Sequence, residues 1–245
     1  DMRRLITFDV DGTLLVAKGE RANALHKRAF SHAFKAVHGL DAHIDEISHH
    51  GSTDQLVARA VLEHRKVDPS IIAERMPKVC EEMIAYATEH KAEAADGLEI
   101  LPGVREFLDA LNVHEDVGIA LVTGNLQTIA WLKMEALGVR HLFSAPGLGG
   151  FGSDHTDRGE LVRLAAERAR AEWGVDGELQ CYHVGDTPND IKAALYAGAV
   201  PIGVCTGVFS EAELREAAPE AREACILPDL ANLDELSRVL NIALR

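Results

Sequence analysis

Phe8-Asp9-Val10-Asp11-Gly12-Thr13-Leu14 decides how the rest of the chain is read. It follows directly on Leu5-Ile6-Thr7, so an apolar run with the composition of a buried strand ends in two carboxylates. Gly12 lets the backbone turn sharply out of the sheet. Carboxylates at the carboxyl end of a strand lie where open α/β sheets bind ligands. Two of them so close repel, and they persist together when a cation or a proton sits between them. Oxygen donors with no Cys or His nearby favour magnesium over zinc. Taken alone, the pair reads equally well as a strand ending in a solvated polar turn.

Outward from this stretch, further apolar runs bounded by turn residues read as strands at 117–122, 142–144 (the weakest), 181–184 and 200–204. Helical patterns follow Thr123 as far as Leu137-Gly138, then span 159–173 and 189–197. This alternation predicts an α/β fold, a Rossmann-like parallel-sheet core with helices on both faces. Residues 20–95 break the alternation with helical patterns alone. Leu25, Ala29, Phe30, Ala33, Phe34 and Val37 form one apolar stripe, closed by Gly39. A second helix is expected from Ser52, with Gln55 completing a capping box. A third begins at Asp68-Pro69, and Pro77 predicts a kink or two shorter helices. The expected domains are therefore a core of 1–17 and 97–245 and an inserted all-helical cap of 18–96.

Two further strand ends repeat the chemistry of the first. Val184-Gly185-Asp186-Thr187-Pro188-Asn189-Asp190 closes a strand with carboxylates and opens a helix. Leu121-Val122-Thr123-Gly124-Asn125 ends in a hydroxyl and a tight turn at a helix start, where backbone amides can cradle an anion. Two carboxylate pairs and one phosphate cradle thus fall on one edge of one sheet.

With these three motifs in this order, the chain resembles the haloacid dehalogenase-like hydrolase superfamily, in its phosphoglycolate phosphatase-like branch with a helical cap. The likeness covers nearly the whole chain, including 130–143 and 201–209. Residues 8–14 match the nucleophile motif, Thr123 the second motif and 185–190 the metal motif. Relatives in this branch carry Lys-Pro-x-Pro before a helix upstream of the metal motif. This chain has Asp154-His155-Thr156-Asp157-Arg158-Gly159-Glu160-Leu161 instead, and Arg158 takes the cationic role.

The resemblance implies a magnesium-dependent phosphatase acting on a small phosphorylated metabolite. Asp9 would form an aspartyl-phosphate, and Asp11 would serve as general acid and then base. Asp9, the Asp11 carbonyl and Asp186 would hold Mg2+, and Asp190 would reach it through water or orient Arg158. Thr123, Gly124, Asn125 and Arg158 would bind the phosphoryl oxygens. The dehalogenases of the superfamily lack an aspartate at the place of Asp11, so its presence points to phosphate esters. In the cap, His49, His50 and Thr53 are candidates for substrate contact, against a plain helix-capping role for Ser52.

A phosphomutase of the beta-phosphoglucomutase type is the alternative, although such mutases continue their first motif differently from Leu14-Leu15-Val16-Ala17-Lys18-Gly19. A non-catalytic binding protein is the alternative from another class. The run Gly147-Leu148-Gly149-Gly150-Phe151-Gly152 has a formal dinucleotide-binding spacing, but it lacks the strand–turn–helix setting and reads as a flexible loop. The formal charge of −14, from 39 acidic and 25 basic residues, argues against nucleic acid and anionic membranes as partners. The four cysteines are scattered, with no metal spacing, and read as buried free thiols. The first strand is too short and too soon interrupted by Asp9 to be a signal or a membrane span, and Asp1 looks like an addition ahead of Met2. The expected setting is cytoplasmic, as a monomer or homodimer.

Overall fold

Strand β1 (Arg3–Phe8) lies at the centre of a six-stranded sheet, with every pairing parallel. The computed structural model describes residues 3–49, 51–218 and 224–244. The other strands are β4 (Val117–Thr123), β5 (Gly149–Phe151), β6 (Leu179–Gly185), β7 (Val200–Val204) and β8 (Cys225–Leu227), in the spatial order β5-β4-β1-β6-β7-β8. Because all six run the same way, the residues after β1, β4, β6 and β7 share one edge. The strand order reverses between β4 and β6 beside β1, the crevice where such sheets place their ligands.

The alternation of β1 explains the layering. Ile6 and Phe8 face a core completed by α4 (Val104–Asn112) and α9 (Leu233–Leu240), where Phe8 meets Phe107 edge-on at 5.8 Å. Leu5, with Ala120 and Val122 of β4, faces α6 (Arg158–Trp173) and α7 (Pro188–Tyr196). Helices thus cover both faces of the sheet.

Three helices intervene after β1: α1 (Ala24–His38), α2 (Asp54–His64) and α3 (Pro69–Glu89). They bury their own cluster, including Phe30, Phe34, Val61 and Met83, against Leu126 and Ile129 beside and within α5 (Gln127–Ala136). The connections into and out of this block pair as a small antiparallel ribbon, β2 (Leu15–Ala17) with β3 (Leu98–Ile100), which sequence reading missed.

Several expectations are corrected. Residues 142–144 form no strand: a 3₁₀ turn, Arg140–Leu142, ends within them, and Leu142 and Phe143 pack into the core. The edge strand is Gly149–Phe151 instead, inside the run expected to be a flexible loop. Helix α2 starts one residue later than expected, with Thr53 as N-cap, and Gln55 donates to the Gly152 carbonyl rather than closing a capping box. Helix α3 runs unbroken through Pro77, because Met76, Val79 and Met83 anchor both sides of it in the α1–α3 core. The four cysteines are free but half-buried. Among the described residues no helix is long and apolar enough to cross a membrane.

Candidate active site

Asp9 is the first residue beyond β1, and its amide donates to the Val184 carbonyl, which ties β1 to the end of β6. Gly12, at φ +91°, turns the chain back, and its amide donates to Leu15. A Cβ at Gly12 or at Gly207 would collide with the Asp186 carboxylate, so two glycines make room for that group. Thr13 Oγ1 donates to Asp186 Oδ1 at 3.1 Å, and Thr206 Oγ1 to the Gly12 carbonyl at 2.5 Å.

Arg158 opens α6, whose N-cap Asp157 accepts from the amides of Gly159 and Glu160. Its guanidinium is buried, with Nη1 2.9 Å from Asp9 Oδ1 and 2.8 Å from Asp190 Oδ1. Asp190 is saturated: Oδ2 accepts from the amide and hydroxyl of Thr187, and His183 Nε2 lies 3.4 Å from Oδ1. Burial works against the Asp190 charge, but Arg158 and His183 outweigh it and hold the carboxyl well below the usual range. For Asp9 burial dominates and raises the carboxyl despite Arg158. Asp186 is pushed up to about 8, by burial first and then by the charges of Asp9 and Asp190.

Asp9, Asp186 and Asp190 each place a carboxylate oxygen within 4.8 Å of the others. All three are buried oxygen donors, and the raised Asp186 marks a place short of positive charge. This donor set fits a hard divalent cation.

The hydroxyl of Thr123, at the end of β4, accepts from the amide and side-chain amide of Asn125 at 3.3 and 3.0 Å, leaving its own proton to give. Asn125 Nδ2 donates to Asp11 Oδ2 at 2.8 Å. The Gly124 carbonyl accepts from Asp54 N at 2.8 Å, and the Leu126 amide donates to Asp54 Oδ2 at 2.8 Å. The start of α2 is thereby fastened onto the turn after β4. Thr53 is buried in this contact, its hydroxyl without a partner.

A cavity of about 630 Å³ opens above these strand ends. Asp9, Asp11, Asn125, Arg158 and Asp186 line it from the sheet side, and His49, Ser52 and Asp54 from the helical side. Thr123 and Asp190 lie behind this surface, and Gly124 lies under residues 52–54. Thr53 borders a separate, smaller cavity beyond Arg158, and His50 lies outside the described residues.

Two partnerships escaped the sequence. Lys133, buried on α5, donates to both oxygens of Asp11 and to Asn125 Oδ1, each at 2.9 Å. Burial would raise the Asp11 carboxyl, but the Lys133 ammonium, with His26 and Asn125, holds it below the usual range. The available signal was a lone lysine in the apolar run Ile129-Ala130-Trp131-Leu132-Lys133-Met134. The second is the buried pair of His26 Nε2 and Asp54 Oδ2, 3.0 Å apart across α1 and α2.

The profile of the haloacid dehalogenase-like hydrolases matches residues 3–198. Phosphoglycolate phosphatase of Vibrio cholerae is 27% identical over 220 residues, covering 89% of this chain and 91% of its own. That of Agrobacterium fabrum is 25% identical over 232 residues, covering 94% and 90%. The crystal structure of CbbY from Rhodobacter sphaeroides in complex with phosphate, 23% identical, shares the fold at a TM-score of 0.61 over 95% of this chain and 96% of that one. With its parallel sheet, its aspartates at the strand ends and a match across most of its length, the chain belongs to the haloacid dehalogenase-like hydrolase family.

Proposed function

We propose that the protein is a magnesium-dependent phosphatase that hydrolyses a small phosphorylated metabolite through an aspartyl-phosphate. The observation that carries this reading is the convergence of Asp9, Arg158 and Asp186 at one cavity wall, with the Asp11 carboxylate alongside. Residues 1–17 and 97–245 serve as the catalytic core, and 18–96 as a cap that walls off bulk water.

Asp9 attacks phosphorus as the ester P–O bond breaks, and the leaving oxygen takes a proton from Asp11. Water then attacks the aspartyl-phosphate, Asp11 takes its proton, and the P–O bond to Asp9 breaks to free inorganic phosphate. Lys133 keeps resting Asp11 a carboxylate; the charge of a bound phosphate dianion raises its proton affinity. Asp11 thus takes a proton from solvent as substrate binds, gives it in the first step and returns the one gained in the second to solvent. Arg158 and Asn125 line the cavity and bind phosphoryl oxygens, with the Thr123 hydroxyl and the Gly124 amide seated behind them. Asp190, with its oxygens already taken, orients Arg158. Asp9, Asp186 and the Asp11 main-chain carbonyl would hold Mg2+, which supplies charge neutralisation between nucleophile and phosphoryl group. Four free, half-buried thiols fit a reducing cytoplasm, and the assembly is a monomer or homodimer.

The test is inorganic phosphate release from a panel of phosphate esters, with and without magnesium, for the wild type and Asp9→Asn. Magnesium-dependent release abolished by Asp9→Asn supports the reading. Isomerisation of a hexose 1-phosphate without free phosphate would replace it with the mutase.

A further inference from the structure

Resting on the phosphatase reading, we propose that the cavity is built for esters whose leaving alcohol is uncharged, largely apolar and well beyond two carbons in size. Its volume of about 630 Å³ falls within the range that holds whole organic ligands. A two-carbon leaving group would leave most of that space to water. The space is bounded with the helical block seated, since Asp54, Gln55 and Gly51 all hydrogen-bond across to the sheet side.

Part of the lining is apolar. Phe30 of α1, Ile44 and Ile47 of the following turn and Val57 of α2 border the cavity, as do Val16 and Val208. Charge points the same way. Lys27, the one lysine among the described residues that line the cavity, holds both oxygens of Asp45 at 2.9 and 3.1 Å. His26 is engaged with Asp54, and Arg158 with Asp9 and Asp190. A leaving group bearing a carboxylate or second phosphate would therefore find neither the lysine nor the arginine of the described lining free to receive it. An apolar body gains from covering the exposed Val208 and the half-buried Val16 and Ile47.

The experiment measures kcat/KM with magnesium for a medium-chain alkyl phosphate, phenyl phosphate, glucose 6-phosphate, 2-phosphoglycolate and fructose 1,6-bisphosphate. In parallel, calorimetry with Asp9→Asn ranks binding of the same esters without turnover. The alkyl and phenyl esters are expected to exceed both anionic-tailed esters by about tenfold or more in each assay. Ile47→Lys, a change at a half-buried wall position, should lower the alkyl ester and raise 2-phosphoglycolate several-fold, while Ile47→Leu keeps the wild-type order. Preference of the wild type for 2-phosphoglycolate or the bisphosphate overturns the inference and leaves the phosphatase standing. Absence of hydrolysis of every ester removes the phosphatase reading, and the binding order then decides the cavity's preference by itself.

Discussion

The ammonium of Lys133 lies 2.9 Å from each carboxylate oxygen of Asp11, and both side chains are further joined through Asn125. Lys133 is 3% exposed, whereas Asp11 opens onto the cavity with 37% of its side chain exposed. The lysine therefore has little freedom, and it sets where the Asp11 carboxylate points. A group that transfers protons must lie within hydrogen-bond reach of the oxygen it serves, so its placement is part of the chemistry.

Lys133→Met is expected to lower kcat by about 100-fold on alkyl phosphates. The loss should be much smaller on p-nitrophenyl phosphate, whose leaving group needs no proton. Lys133→Arg should restore part of the alkyl activity. Equal losses on both esters would show that Lys133 supports the fold rather than the placement of Asp11.

Arg158 is the point where charge balance and catalysis meet. Replacing it with Ala leaves Asp9 and Asp190 buried without their cation, a change expected to cost about 3–5 kcal/mol. Arg158→Lys keeps the charge but loses the planar fork, so it should fold close to the wild type and retain only a small part of kcat. Chemical denaturation and phosphate-release kinetics separate the two effects. An Arg158→Ala protein with unchanged stability would refute the buried-pair account.

How far the sequence reached follows from where its information lies. The places of Asp9, Thr123 and Asp186 at the strand ends were legible because each sits in a contiguous motif after or within an apolar run. Arg158 was legible through its place at the start of a helix, and the structure brings its Nη1 to Asp9. Lys133 was not, because its partner Asp11 is 122 positions away and only the folded chain brings the two together. The edge strand Gly149–Phe151 shows no alternation, being two glycines and a phenylalanine, and its place is set by pairing with β4. Pro77 pointed to a break that packing overrides. The cavity's apolar wall drew on α1, the following turn and α2, whose periodicity announced helices but not which residues would face the strand ends.

The raised Asp186 carboxyl predicts a pH dependence with a definite sign. Its folded value of about 8 lies above the ordinary 3.8, so the native metal-free protein holds a proton that the unfolded chain releases. The stability from this group is complete below about pH 4 and is lost as pH rises through 8. Melting in chelator should therefore show a falling contribution across that window. Magnesium competes with the proton, so its gain in Tm should be larger near pH 8.5 than near pH 6. Asp186→Asn should flatten both trends. A magnesium gain independent of pH would contradict the assignment of Asp186 to the metal.

Gly124 couples the helical block to the phosphate cradle. A Cβ there would strike the Ser52 carbonyl and come within 2.8 Å of the Thr53 Cα. Because the Gly124 carbonyl also accepts the Asp54 amide, the turn after β4 and the start of α2 are in backbone contact. Gly124→Ala should push them apart while leaving the sheet intact, for a destabilisation of about 1–3 kcal/mol. Its kcat/KM should fall by about tenfold or more, since the cradle and the cavity wall are positioned by the same contact. Hydrogen exchange should quicken at the amides of Asp54 and Leu126, which bridge the two parts, and stay slow in β1 and β6. Lost activity with unchanged exchange at those two amides would mean that Gly124 acts on the phosphoryl group alone; faster exchange with full activity would mean that seating of the cap is not needed for turnover.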